Sequence, residues 1–266
     1  MADSHEHRAR KRFGQNFLHD QNVIARIVNQ IQPREGQRLV EIGPGKGALT
    51  REVLAYIPHM DVVELDRDLI PILQAELGPQ LSIHNTDAMK FDFCSLVEAG
   101  QKLRVIGNLP YNISTPLIFH LLGLRTCIQD MHFMLQNEVV ERMQAGPGSK
   151  TYGRLGIMVQ YFCRVEKLFI VPPEAFSPAP KVDSAIVRLV PYAEPPYPVE
   201  SVDTLTKLVA QAFSQRRKTL RNCLKGWLDE EAILAVGVDP TRRPEQLSLQ
   251  DFVALCNQYC KLNPTI

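Results

Sequence analysis

Apolar residues at Val23, Ile24, Ile27, Val28 and Ile31 recur at three- and four-residue steps through "DQNVIARIVNQI". That is the period of a helix burying one face. The pattern then changes: "RLVEIG" is a short apolar run closed by "PGKG", and reads as a buried strand ended by a turn. From there the two textures alternate. Helical "ALTREVLAYI" precedes strand "DVVEL", and helical "DLIPILQAEL" precedes strands "LSIHNT" and "LRVIGN". Helical "STPLIFHLLGL" then leads into strand "QDMHFMLQ". Strands alternating with helices predict right-handed, parallel β-α-β units, so the fold class is α/β, a Rossmann-like, doubly wound, mostly parallel sheet.

After Lys150 the texture shifts. "YGRLGIMVQYF" reads as helix, and "EKLFIVPPEAFSPAPKVDSAIVRLVPY" as two strands around a proline-rich loop, an antiparallel pair at the sheet edge. "PYAEPPYPVES" places four prolines between Pro191 and Pro198 and reads as a linker. Beyond it only helical patterns remain, among them "VDTLTKLVAQAF" and "LQDFVALCNQYCKL". The expected layout is an α/β domain over residues 1–193 and a small all-α domain over 194–266.

Composition adds bounds. A chain of 266 residues, 45% hydrophobic, can bury one large core and a small one. Its net charge of +1 means that any polyanion surface must come from local clusters. Two exist: "RARKR" holds Arg8, Arg10, Lys11 and Arg12, and "QRRKTLRNCLK" holds Arg216, Arg217, Lys218, Arg221 and Lys225. On one continuous helix, residues 217, 221 and 225 would share a face. Such a face either meets an RNA phosphate backbone or is merely solvated. Six scattered cysteines without a C-x-x-C pair are expected to be reduced thiols. With no apolar leader and no run of membrane-spanning length, we expect a soluble, cytoplasmic monomer.

The chemistry gathers at strand ends. "EIGPGKG" puts Glu41, Gly43, Gly45 and Gly47 at the first strand-to-helix turn. Glycines there permit a tight turn and close approach of a ligand, beside the free N–H groups of a helix N-terminus. Glu64, closing the second strand, can accept both hydroxyls of a ribose, or be a solvated carboxylate. Asp87, after the third, suits an adenine amino group or a helix cap. These point to an adenosine-containing cofactor without choosing between a dinucleotide and S-adenosylmethionine.

"GNLPYNIS" decides between them. An exocyclic aromatic amine is a poor nucleophile because its lone pair is delocalised into the ring. Two acceptors outside the ring plane favour a pyramidal nitrogen. The Asn108 side-chain oxygen supplies one and the Leu109 main-chain carbonyl the other. Pro110 restricts Leu109 to extended geometry, and Tyr111 presents a face for a base to stack on. A base inside a duplex cannot enter such a site, so it must be unpaired or flipped. The bland alternative is an Asn capping the next helix.

Several segments together resemble the ribosomal small-subunit RNA adenine dimethyltransferase family. They are "GQNFL", "EIGPGKGALT", "ELDRDL", "GNLPYNISTPLIFHLL", "MLQNEV", "YGRLGIMVQYF", "VPPEAFSPAPKVDSAIVRL" and "QRRKTLRN". The likeness runs over about residues 11–258 and is closest to the bacterial members. It implies a class I methyltransferase fold, S-adenosylmethionine as cofactor, and cofactor contacts at Asn16, Leu18, Gly43, Gly45, Glu64, Asp87 and Asn108. It implies a second aromatic, Phe176, packing on the flipped adenine; the two basic clusters flanking such a site are expected to bind RNA through Arg10, Lys11, Arg12, Arg216, Arg217, Lys218 and Arg221. The substrate it implies is two adjacent adenosines in the hairpin loop near the 3′ end of 16S rRNA, met on an assembling small subunit. From the residues alone, Asn16 reads as a helix cap and Phe176 as ordinary packing. The runner-up is an assembly-checkpoint factor with secondary catalysis; a nicotinamide dehydrogenase leaves Asn108–Tyr111 unexplained. His19, His84, His120 and His132 lack metal-ligand spacing, and no metal is expected.

Overall fold

The computed structural model describes residues 15–215 and 217–264. In chain order the strands and α-helices are β1 (Phe17–Leu18), α1 (Gln21–Ile31), β2 (Arg38–Ile42), α2 (Ala48–Leu54), β3 (Met60–Val63), α3 (Ile70–Leu77), β4 (Leu81–His84) and β5 (Leu103–Asn108). There follow α4 (Ser114–Gly123), β6 (Ile128–Gln136), α5 (Asn137–Gln144), α6 (Arg154–Phe162), β7 (Cys163–Val171), β8 (Phe176–Ser177) and β9 (Ser184–Pro191). The chain ends with α7 (Val202–Phe213), α8 (Leu220–Cys223), α9 (Glu230–Leu234) and α10 (Leu249–Leu262).

Seven strands form one sheet in the order β4-β3-β2-β5-β6-β9-β7. The first five are parallel to one another, and β9 runs antiparallel to β6. The order reverses between β2 and β5, and in an open α/β sheet the ligand crevice forms outside the carboxyl ends of the strands at that point. β2 and β5 can approach there because residue 107 is glycine: a Cβ on Gly107 would stand 2.5 Å from the Ile42 carbonyl oxygen.

The helix expected in "DQNVIARIVNQI" forms over Gln21–Ile31, where Asp20 caps it by accepting from the Asn22 and Val23 amides, and it buries Ile24, Ile27, Val28 and Ile31. These pack with Leu39, Val53, Val62, Ile106, Met134 and Ile186 into one core. The far end of α1 is tied to the sheet by a buried charge. Arg104 of β5 donates to the Ile31 carbonyl at 2.7 Å and, at 2.8 Å, to Asp130 of β6. A cation in the middle of an apolar strand is thereby satisfied.

The structure departs from the sequence reading in four places. A second, two-stranded sheet pairs β1 with β8, matching Phe17 to Ser177 and Leu18 to Phe176. Cys94 and Cys127 are joined by a disulfide, so the cysteines are not all reduced: the turns at Phe93–Leu96 and Arg125–Cys127 bring their Cα atoms to 5.5 Å. No continuous helix carries residues 217–225, because Thr219, extended at ψ 158°, starts a new short helix at Leu220 and the chain turns again after Cys223. Finally, one compact unit runs to Val140 and resumes over Glu166–Pro191, while the other takes Glu141–Val165 and everything from Tyr192. The later segment of the second unit begins at Tyr192, and its earlier segment contains α6. Within this unit, Tyr152, Phe213 and Phe252 stack in sequence, and Gly156 of α6 leaves room for the Arg142 carbonyl, 2.5 Å from where a Cβ would sit.

Candidate active site

The carboxyl ends of β2, β3 and β5, and the segments following β3 and β4, surround a cavity of about 380 Å³, within the range of small-ligand sites. Asn16, Leu18, Gly43, Gly45, Glu64, Asp87, Asn108, Leu109, Pro110 and Tyr111 all line it. The glycine turn is built by positive φ at Gly43 (66°) and Gly45 (59°), a region that costs most side chains dearly. The Gly43 amide donates to the Val63 carbonyl at 2.9 Å, which joins the turn to the neighbouring strand end.

Glu64 is 6% exposed. Its carboxylate accepts from the Asp66 amide at 2.8 Å and the Gly45 amide at 3.4 Å. Burial raises its pKa, against the lowering effect of those bonds. Glu41, one strand away and more deeply buried, accepts from the Thr50 hydroxyl at 2.6 Å, and desolvation pushes its pKa up to about 7. Asp87 accepts from the Met89 amide at 3.0 Å at the head of a turn, not of a helix, and the residue lines the cavity.

The strand-end asparagine has a fixed orientation. The Asn108 side-chain nitrogen donates to the main-chain carbonyl of Asn16 at 3.0 Å, which leaves its oxygen as the acceptor. Asn16 is therefore no helix cap: Asp20 does that work, and Asn16 belongs to a strap held at several points. Gln15 donates to Asp66 at 3.0 Å, β1 pairs with β8, and the His19 amide donates to the Ala175 carbonyl at 3.0 Å. Tyr111, half-buried, shares a 2.7 Å hydrogen bond with Ser184, and burial raises its pKa so that the hydroxyl keeps its proton.

Phe176 is 3% exposed, belongs to the core cluster beside Leu18, lies on β8 paired with β1, and does not line the cavity. Arg217, Lys218, Arg221 and Lys225 are exposed around α8, and Arg221 is engaged with Glu230 at 3.3 Å. Arg10, Lys11, Arg12 and Arg216 lie outside the described residues. Sequence reasoning missed Gln15 and His132 as cavity residues. His132, on β6 two residues before Asn108's partner Met134, is 3% exposed, and burial lowers its pKa to about 4. Its helix-covered strand position gave no signal of this.

The strand order, with β9 antiparallel beside β6, and the crevice at the strand ends are those of the class I methyltransferase fold. Residues 6–261 match the family model described as ribosomal RNA adenine dimethylase. The chain is 62% identical over 264 residues to a ribosomal RNA small subunit methyltransferase A of Pseudomonas aeruginosa, covering 98% of each. It is 60% identical over 263 residues to a protein of the same name from a Marinomonas strain, covering 98% of this chain and 99% of that one. Among solved structures, a dimethyladenosine transferase from Plasmodium falciparum superposes with a TM-score of 0.78 at 27% identity, covering 93% of this chain and 98% of that one. The 23S rRNA methyltransferase ErmE gives 0.71 at 25% identity, with 92% and 99% covered. The chain belongs to the ribosomal RNA adenine dimethylase family. Among the described residues no helix is long and apolar enough to cross a membrane.

Proposed function

We propose that the cavity holds S-adenosylmethionine and a flipped adenosine of 16S rRNA, and that the protein dimethylates N6 of two adjacent adenosines in the hairpin loop near the rRNA 3′ end. The observation that carries this reading is the tethered amide of Asn108. One of its two N–H groups is taken by the Asn16 carbonyl, which fixes the way the amide faces and so the side its oxygen offers to an adenine amine. The donor set fits the cofactor: Glu64 for the ribose hydroxyls, the Gly43–Gly45 turn for close backbone approach, and Asp87 for the adenine. When bound, that cofactor supplies a methyl group activated by a sulfonium.

The chain's own residues do the rest by positioning. Asn108 and the Leu109 carbonyl accept the two amine hydrogens and direct the nitrogen lone pair. Tyr111 stacks on the base. The amine proton leaves to solvent after transfer. The exposed cations Arg217, Lys218 and Arg221 support contact with RNA phosphates, a term that weakens with salt. They also support the second reading, in which particle binding serves small-subunit assembly apart from catalysis. Labelled-methyl incorporation into undermodified small subunits by Asn108→Ala tests the first: a rate near wild type removes the amine-orienting role. Sedimentation of the same variant with particles tests the second.

A further inference from the structure

We propose that Ser184 is a positioning residue for methyl transfer, acting through the ring of Tyr111. The inference rests on the adenine-methylation reading above and names a residue outside the cavity as part of its machinery. Ser184 opens β9, pairs with Gln136 of β6, and is completely buried. The strand it opens, "SAIVRLVP", buries Ala185, Ile186, Val187 and Leu189. A hydroxyl at such a place costs free energy unless it is hydrogen-bonded. Its partner lies 73 residues away: the Tyr111 hydroxyl, at 2.7 Å.

That bond does something that burial alone does not require. Tyr111 borders the cavity and Ser184 does not. The main chain of Tyr111 is held from the other side, where the Ser114 hydroxyl donates to its carbonyl at 3.2 Å. With the backbone and the ring tip both held, the long axis of the ring is fixed, and because a phenolic O–H prefers the ring plane the bond to Ser184 also favours one rotation about that axis. The stacking face is therefore set before a base arrives, which lowers the ordering cost at the moment of binding. Asn108 is fixed by an unrelated tether, the Asn16 carbonyl. The two sides of the base pocket are thus set independently, one from the N-terminal strap and one from β9. Raised by burial, the Tyr111 pKa keeps this hydroxyl protonated, and so the bond intact, across the neutral range.

The test compares Ser184→Ala, Tyr111→Phe and the double variant, using labelled S-adenosylmethionine and undermodified small subunits, with melting temperature followed throughout. Each single variant is expected to lower kcat about tenfold, the worth of one buried hydrogen bond. KM for the cofactor should stay unchanged, and the double variant should be no slower than either single. A general packing role would lower stability without that non-additive loss of kcat. Wild-type kcat in Ser184→Ala, or losses that multiply in the double variant, overturns the inference while the active wild type keeps the methylation reading. Should Ser184→Ala fail to fold, Tyr111→Phe breaks the same bond from the cavity side, and full activity there overturns it equally. An inactive wild type removes both the reading and the inference.

Discussion

Asn108 is useful only while its amide points one way. An amide and a carboxylate have almost the same shape, but the carboxylate is acceptor-only. In Asn108→Asp the donor to the Asn16 carbonyl is lost and an anionic oxygen stands where that 3.0 Å bond was. We therefore expect methyl transfer to fall about a hundredfold, the cost of one missing bond to a charged group plus misorientation, with little change in melting temperature. Single-turnover transfer of labelled methyl measures it, and an Asp variant near the wild-type rate would show that the tether does not orient the amide. The sequence "GNLPY" disclosed which residue types meet an adenine. It could not disclose that the amide's partner is a main-chain carbonyl 92 residues earlier, because a carbonyl leaves no mark on residue identity. Phe176 shows the converse: the pairing of its short strand with Leu18, which places it in the core cluster, leaves no period in the sequence.

At the scale of elements, the site depends on α1 staying where it is, because the strap that holds Asn108 leads directly into that helix. Arg104 ties the end of α1 to the sheet, and Asp130 balances its charge, with Arg188 also within 3.4 Å of Asp130. Arg104→Met would fill the volume but leave Asp130 buried with weaker compensation. Breaking a buried pair in this way costs about 3 kcal/mol, so urea unfolding should shift by that order and cofactor affinity should fall with it. Unfolding within about 0.5 kcal/mol of wild type would mean that the tie contributes nothing of the surface kind either. The strands β2 to β6 and the helices between them were legible because each runs long enough to display its period. β1 and β8 hold two residues each, too few for any period. The run 217–225 displayed a helical spacing of charges, but turn chemistry at Thr219 overrode it. Nor does the isolated Arg104 hint, from sequence, at an aspartate 26 residues on.

Two buried titratable groups on one sheet make opposite demands on the α/β unit as a whole. Glu41 has its pKa raised from 4.5 to about 7, chiefly by desolvation and also by the nearby Glu64 carboxylate. In linkage terms its contribution to stability is complete below pH 4.5 and is lost as pH rises through about 7. His132 has its pKa lowered from 6.5 to about 4 by burial, with Arg104 and Arg188 helping and Asp130 opposing. Its contribution is complete above pH 6.5 and is lost as pH falls through about 4. Between pH 4.5 and 6.5 the two slopes have opposite sign and nearly cancel, so neither shows in the wild-type profile. Glu41→Gln separates them. The amide oxygen can still accept from Thr50, and no charge has to be buried. Relative to wild type, the variant should gain about 3 kcal/mol between pH 4.5 and 8, the free-energy equivalent of the Glu41 shift. Taking the difference between two urea-unfolding series removes every other titrating group from the comparison. Parallel profiles would mean that Glu41 is ionised in the folded protein. In that case the carboxylate pair at the ends of β2 and β3 would carry two negative charges towards whatever cation the cavity receives.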